Sequence, residues 1–143
     1  MIVVDVNVLI AAFRSEHDDH SQVRSWFLDV LSNEDAVVIP DLSWVGFLRI
    51  VTNSRIFDVP ATMDEALGFL QAVMAASSYR SAPRLNKGWG GFAELVDEAR
   101  VAGNLVPDAY LAAVARGLAC PIASMDRDFR RFAGLALRDP TAI

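Results

Sequence analysis

Residues 1–10 read MIVVDVNVLI, and the fold turns on how this stretch is parsed. IVVD (2–5) has the unbroken apolar character of a buried parallel strand, and VNVLIAAFR (6–14) behind it carries a helical pattern. Asp5 therefore ends a strand, with Asn7 two positions on. An unpaired carboxylate at the edge of a core is costly, so Asp5 needs a salt bridge, backbone donors or a metal ion.

The rest of the chain repeats the alternation. DDHSQVRSWFLDVLSN reads as a helix with Asp19 as its cap, Gln22 three residues on, and a stripe of Val23, Trp26, Phe27, Val30 and Leu31. AVVIP (36–40) is a short buried strand stopped by proline. DLSWVGFLRIVTN follows as a helix with Trp44, Phe47, Leu48 and Val51 on one face. TMDEALGFLQAVMAA opens on a capping box, Thr62 to Glu65, and places Ala66, Phe69, Leu70, Val73 and Met74 together. SYRSAPRLNKGWGG reads as a loop with a weak strand near Tyr79–Ala82, and a helix is predicted from Phe92 to Val101. Pro107 suits the first turn of a further helix with Leu111, Val114, Ala115 and Leu118 facing inward. PIASM (121–125) reads as a strand ending at Asp126, and LALRD as a final edge strand. Short apolar strands between long amphipathic helices predict a single α/β domain over residues 1–143, with a mostly parallel sheet covered by helices on both faces.

Composition narrows the classes. With 53% hydrophobic and 22% charged residues the chain has the balance of a globular protein. The N-terminal run lacks the basic flank and cleavage pattern of a signal peptide, and no stretch approaches the roughly 20 apolar residues of a membrane span. The single cysteine, Cys120, excludes an internal disulfide and paired-cysteine zinc sites, and suits a reducing cytoplasm. A net charge of −5 gives no basic footprint for nucleic acid, although 12 of the 13 Lys+Arg residues are Arg.

In open α/β sheets, sites form beyond the carboxyl ends of the strands. Asp5 and Asp126 both lie there. Asp108 in NLVPDAYLAAVA falls in the first turn of its helix, where it either stabilises the helix dipole or joins the other acids. Asp128 is a further ligand or the cap of a short helix through Phe132, and Asn7 either steadies Asp5 or caps the first helix. Clustered carboxylates repel one another unless a cation fills them. Oxygen ligands without His or Cys point to Mg²⁺ or Mn²⁺, ions that polarise a phosphoryl oxygen and lower the pKa of a bound water. Metal-assisted phosphodiester hydrolysis is the chemistry this set suits. An aspartyl-nucleophile phosphatase wants Asp at position 7, which is Asn; GWGG (88–91) lacks the spacing of a dinucleotide loop; HDDH (17–20) reads as capping and solvent.

The segments VVDVNVLI, WVGFLRIVTNSRIF, LVPDAYLAAVA and SMDRDFRRFAGLALRDP, in this order and spacing, resemble the PIN-domain ribonucleases that form the toxin half of VapBC toxin–antitoxin pairs. The resemblance implies Asp5, Asp108 and Asp126 as catalytic metal ligands, Asp128 as a variable fourth, and Asn7 and Ser124 as supporting hydrogen-bonders. It implies Mg²⁺-dependent cleavage of RNA, with Mn²⁺ able to substitute, a VapB-like antitoxin partner and a homodimer. One position departs from the pattern. Where the family carries glutamate in a stretch like WxEFLR, this chain has Gly46, on the helix face shared with Arg49 and Asn53. That face is expected to look at the acids, which makes Arg49 a candidate substrate contact. It also leaves a second reading, a catalytically weakened module that binds RNA or protein.

Overall fold

The computed structural model describes residues 1–85 and 88–142. Its first strand, β1 (Ile2–Val4), has all three side chains fully buried, because both faces of the sheet are covered. Ile2 and Val4 point into one apolar cluster and Val3 into the other, as the alternation of a strand requires. The first cluster is closed by α1 (Val6–Phe13), α2 (His20–Asn33), α3 (Asp41–Val51) and α4 (Met63–Met74). The second is closed by α5 (Trp89–Glu98) and α6 (Val106–Gly117).

The remaining strands are β2 (Val37–Val38), β3 (Tyr79–Arg80), β4 (Ile122–Ala123) and β5 (Leu137–Arg138). They order as β3-β2-β1-β4-β5, with every neighbouring pair parallel. The chain builds outward from β1 to β2 and β3, then crosses to the other side for β4 and β5. The strand order therefore reverses between β1 and β4, which opens a crevice at their carboxyl ends. Val4 pairs with Ala123, so the next residue of each strand, Asp5 and Ser124, are placed side by side. That register positions the site.

Local structure differs from the sequence reading at several places, each for a physical reason. Asp19 precedes α2 but makes no side-chain cap bond. Its own N–H donates to His17 Nδ1 at 3.1 Å, and Gln22 reaches instead to the Thr141 carbonyl. The predicted box at Thr62 forms in part: Thr62 Oγ1 accepts from the Glu65 N–H at 3.1 Å, but the Glu65 carboxylate accepts from the Thr62 hydroxyl, at 3.0 Å, in place of the Thr62 backbone N–H. Met74, placed in the α4 stripe, is exposed. α5 starts at Trp89, three residues earlier than predicted, and stops at Glu98 with Val101 outside it. β3 is confined to Tyr79–Arg80, and Asn86 and Lys87 of the predicted loop lie outside the described residues. β4 ends at Ala123, so Asp126 belongs to the turn beyond the strand.

Candidate active site

Asp5 is 4% exposed and both of its oxygens are engaged. Oδ1 accepts from the Val6 N–H at 2.7 Å, which makes Asp5 itself the N-cap of α1. Oδ2 accepts from the Ser124 hydroxyl at 2.7 Å. Ser124 is fully buried and uses its whole capacity, donating to Asp5 while accepting from Asn7 Nδ2 at 2.9 Å and from the Asp126 N–H at 3.0 Å. Asn7 in turn accepts from the Met125 N–H at 3.2 Å. Asn7 therefore does not cap α1; it ties the β4 turn to α1 and steadies Asp5 indirectly, through Ser124.

Asp126 caps the 3₁₀ turn Arg127–Arg131, its Oδ1 accepting from the Asp128 N–H at 2.8 Å. The capping role weighed for Asp128 thus belongs to Asp126. Asp128 is exposed, and its nearest cation, Arg131, stands 3.9 Å away in a weak surface pair. Asp108 lies in the first turn of α6, just after Pro107, and is half-buried.

The electrostatics join these acids. Burial, followed by the charges of Asp5, Asp126 and Asp128, pushes the Asp108 carboxyl up to about 6, and Arg131 opposes the rise. Asp5 is also raised, first by burial and further by Asp126, against the hydrogen bonds from Ser124 and Val6. All four carboxylates thus share one field, with negative charge in excess. The donors are hard oxygens, and that chemistry fits a divalent cation such as Mg²⁺. As the side chains stand, no three acids among the described residues are drawn tightly enough together to hold an ion. Asp5 and Asp126 spend oxygens on caps and on Ser124, Asp128 turns outward, and like charges do not close on one another unaided.

Asp5 and Asp108 share a cavity of about 200 Å³ between α3 and α6. Gly46 and Arg49 line it too, so the α3 face predicted to look at the acids does so. Apolar walls come from Val6, Leu42, Val45, Ile50 and Leu111. Sequence reasoning missed two contributors. Ser43, buried in α3, donates to the last β1 carbonyl, Val4 O, at 3.0 Å and fixes α3 beside Asp5. Arg131 is the cation facing Asp108, and its only sequence signal is its spacing three residues after Asp128. A larger cavity, about 730 Å³, lies between the end of α1 and the loop before α4 and contains none of the site acids. The HDDH histidines serve local structure, His17 accepting from Asp19 and His20 Nδ1 bonding the Ala11 carbonyl at 2.8 Å.

Comparison with known proteins bears on the fold and the family. The PIN domain family matches residues 2–135. Ribonuclease VapC31 of Mycobacterium tuberculosis is 42% identical over 135 residues, covering 94% of this chain and 95% of that protein. Among solved structures, VapBC2 from Rickettsia felis bound to a fragment of its promoter DNA superposes with a TM-score of 0.70 at 16% identity, over 97% of this chain and 98% of the other. VapC20 of Mycobacterium tuberculosis, a sarcin-ricin loop cleaving toxin, gives 0.68 at 16% identity, over 95% and 99%. At that identity the two structures speak for the fold alone. The family match and the 42% relative go further: this chain belongs to the PIN-domain family and, within it, to the VapC ribonucleases.

Proposed function

We propose that this protein is a Mg²⁺- or Mn²⁺-dependent endoribonuclease, a single PIN domain over residues 1–143. It acts in the cytoplasm as the toxin of a toxin–antitoxin pair. The observation that carries this reading is the meeting of Asp5, Ser124 and Asp126 at the β1/β4 crevice, with Asp108 in the same field.

When bound, a divalent ion neutralises phosphate charge and polarises a phosphoryl oxygen. Asp5, Asp108 and Asp126 would hold it, with Asp128 as a fourth oxygen donor. The chain's own residues prepare the place. Ser124 and the α1 N-terminus orient Asp5, and Asn7 holds the Ser124 turn against α1. Asp108, raised to about 6, is ionised at neutral pH and available to a cation. Apolar side chains beside Asp5 and Asp108 lower the local polarity and strengthen their attraction for a cation.

A VapB-like antitoxin is the proposed partner, supported by the likeness to the VapBC2 complex and by the surface itself. Leu42 and Val45 on α3 and Val106 at the start of α6 are exposed near an acidic cavity. Such a surface suits a peptide that carries apolar residues and a cation. The homodimer rests on the family resemblance, and the cytoplasm on the lone free thiol of Cys120.

A second reading, a weakened module that binds without cutting, draws on Gly46, which brings no carboxylate to the cavity wall. Purified protein incubated with total RNA and Mg²⁺ separates the two. The nuclease reading expects fragments with 5′-phosphate and 3′-hydroxyl ends, abolished by EDTA and by Asp108→Asn. Cleavage that persists in EDTA and leaves 2′,3′-cyclic phosphates would end it, and RNA binding without cleavage would favour the module.

A further inference from the structure

The acids of this site face an obvious difficulty, because the substrate proposed for it is itself a chain of negative charges. A bound cation offsets part of that repulsion at the reacting phosphate, but flanking phosphates need a cation from the protein. Among the described residues lining the Asp5–Asp108 cavity, Arg49 is the sole cation. It is exposed, and among the described residues it forms neither an ion pair nor a side-chain hydrogen bond.

Three other arginines are already engaged. Arg14 donates to the Val59 carbonyl at 2.8 Å, pairs with Glu16 and lies over the Phe57 ring at 4.1 Å. Arg131 offsets Asp108 and approaches Asp128. Arg138 pairs with Glu34. Among the described residues Arg49 forms no ion pair with Asp5 or Asp108, although all three line one cavity.

Gly46 explains how it stays free. It lies three residues before Arg49 on α3 and lines the same cavity. A carboxylate three residues before an arginine on a helix is within pairing reach. With glycine there, nothing on the preceding turn ties Arg49 down, and the approach beside it stays open. The position is not forced to be glycine by packing: a Cβ would meet the Val6 side chain at 3.4 Å, an ordinary contact.

Resting on the ribonuclease reading, we propose that Arg49 grips an RNA phosphate flanking the scissile bond, and that Gly46 keeps it free to do so. The guanidinium supplies a bidentate fork to a phosphate at the rim of the cavity, while the acids handle the reacting group inside. Arg49 is thus a substrate-binding residue that sets affinity and register on the RNA backbone.

The test is the salt dependence of RNA binding by Asp108→Asn protein in Mn²⁺, with a pool of short single-stranded RNAs as probe. Adding Arg49→Gln should weaken binding about tenfold at low salt. It should also flatten the plot of log affinity against log salt by about 0.7, the signature of one lost phosphate contact on a single strand. Arg49→Lys should restore the slope but only part of the affinity. Gly46→Glu should reproduce the flattening, whereas Gly46→Ala, which adds no charge and meets only an ordinary contact, should leave the slope unchanged. Arg55→Gln, on an exposed arginine in the loop after α3, is the comparison. An unchanged slope in Arg49→Gln, or a loss no greater than in Arg55→Gln, overturns the proposal and leaves the ribonuclease reading intact. Loss of antitoxin-peptide binding with RNA binding unmoved also overturns it. Failure of the parent protein to bind RNA at all would instead remove the reading on which it rests.

Discussion

Ser124 shows how one hydroxyl organises a site. It has one proton to donate and two acceptor positions, and all three are used, on Asp5, Asn7 and the Asp126 N–H. Ser124→Ala strands these partners in a buried setting and should cost about 1–3 kcal/mol in urea unfolding. A loss below about 0.5 kcal/mol would mean that water replaces the hydroxyl easily. Asp108 gives a second prediction at this scale. Its folded carboxyl titrates at about 6, above the ordinary value of 3.8, so the folded state keeps a proton that the unfolded chain has released between those values. Stability of the metal-free protein should therefore fall as pH rises through that window and level off above it. Asp5, also raised, acts in the same direction. Asp108→Asn should melt higher than the parent above pH 6 in EDTA and show a shallower slope from pH 4 to 6. Equal slopes in the two proteins would place Asp108 in a more solvated setting than the structure gives it. Of these residue roles, the acids at strand ends were legible because a carboxylate after a buried run is anomalous. The Ser124 hub was not legible from spacing, since it depends on the β1–β4 register.

At the scale of elements, the end of α6 carries a complete Schellman motif without a glycine. The Cys120 N–H donates to the Ala115 carbonyl and the Ala119 N–H to the Arg116 carbonyl, both at 3.0 Å, with Ala119 in the left-handed region at φ 52°. A left-handed conformation costs a residue with a Cβ about 1–2 kcal/mol. Ala119→Gly relieves that strain at some cost in chain entropy, and should raise stability by up to about 1 kcal/mol. A lower melting temperature for this variant would show that the Ala119 methyl makes a contact worth more than the strain. The motif was hidden in the sequence because its usual marker is missing. The start of α5 was hidden for the opposite reason: Gly90 and Gly91 look like loop, yet the helix runs through them from Trp89, whose ring packs on Phe92 and Tyr110. Tertiary contact overrode propensity there. At Thr62 local chemistry and tertiary structure agree, and the sequence marked that helix start correctly.

For the whole molecule, the order β3-β2-β1-β4-β5 turns a scattered set of residues into one site. Residues at positions 5 and 124 meet because their strands pair at the point where the sheet changes direction. The alternation of short buried strands with amphipathic helices made the class of fold readable. The strand order was not readable from periodicity, which carries no information on which strands are neighbours. The central claim is that the acids brought together by this topology share one divalent ion. Calorimetric titration of Mn²⁺ into the parent protein and into Asp5→Asn, Asp108→Asn and Asp126→Asn tests it most directly. The account predicts saturable binding by the parent and weakened binding in each of the three variants, including Asp126→Asn, whose side chain does not line the Asp5–Asp108 cavity. Parent protein that takes up no Mn²⁺, or any one of these variants binding as tightly as the parent, would contradict it.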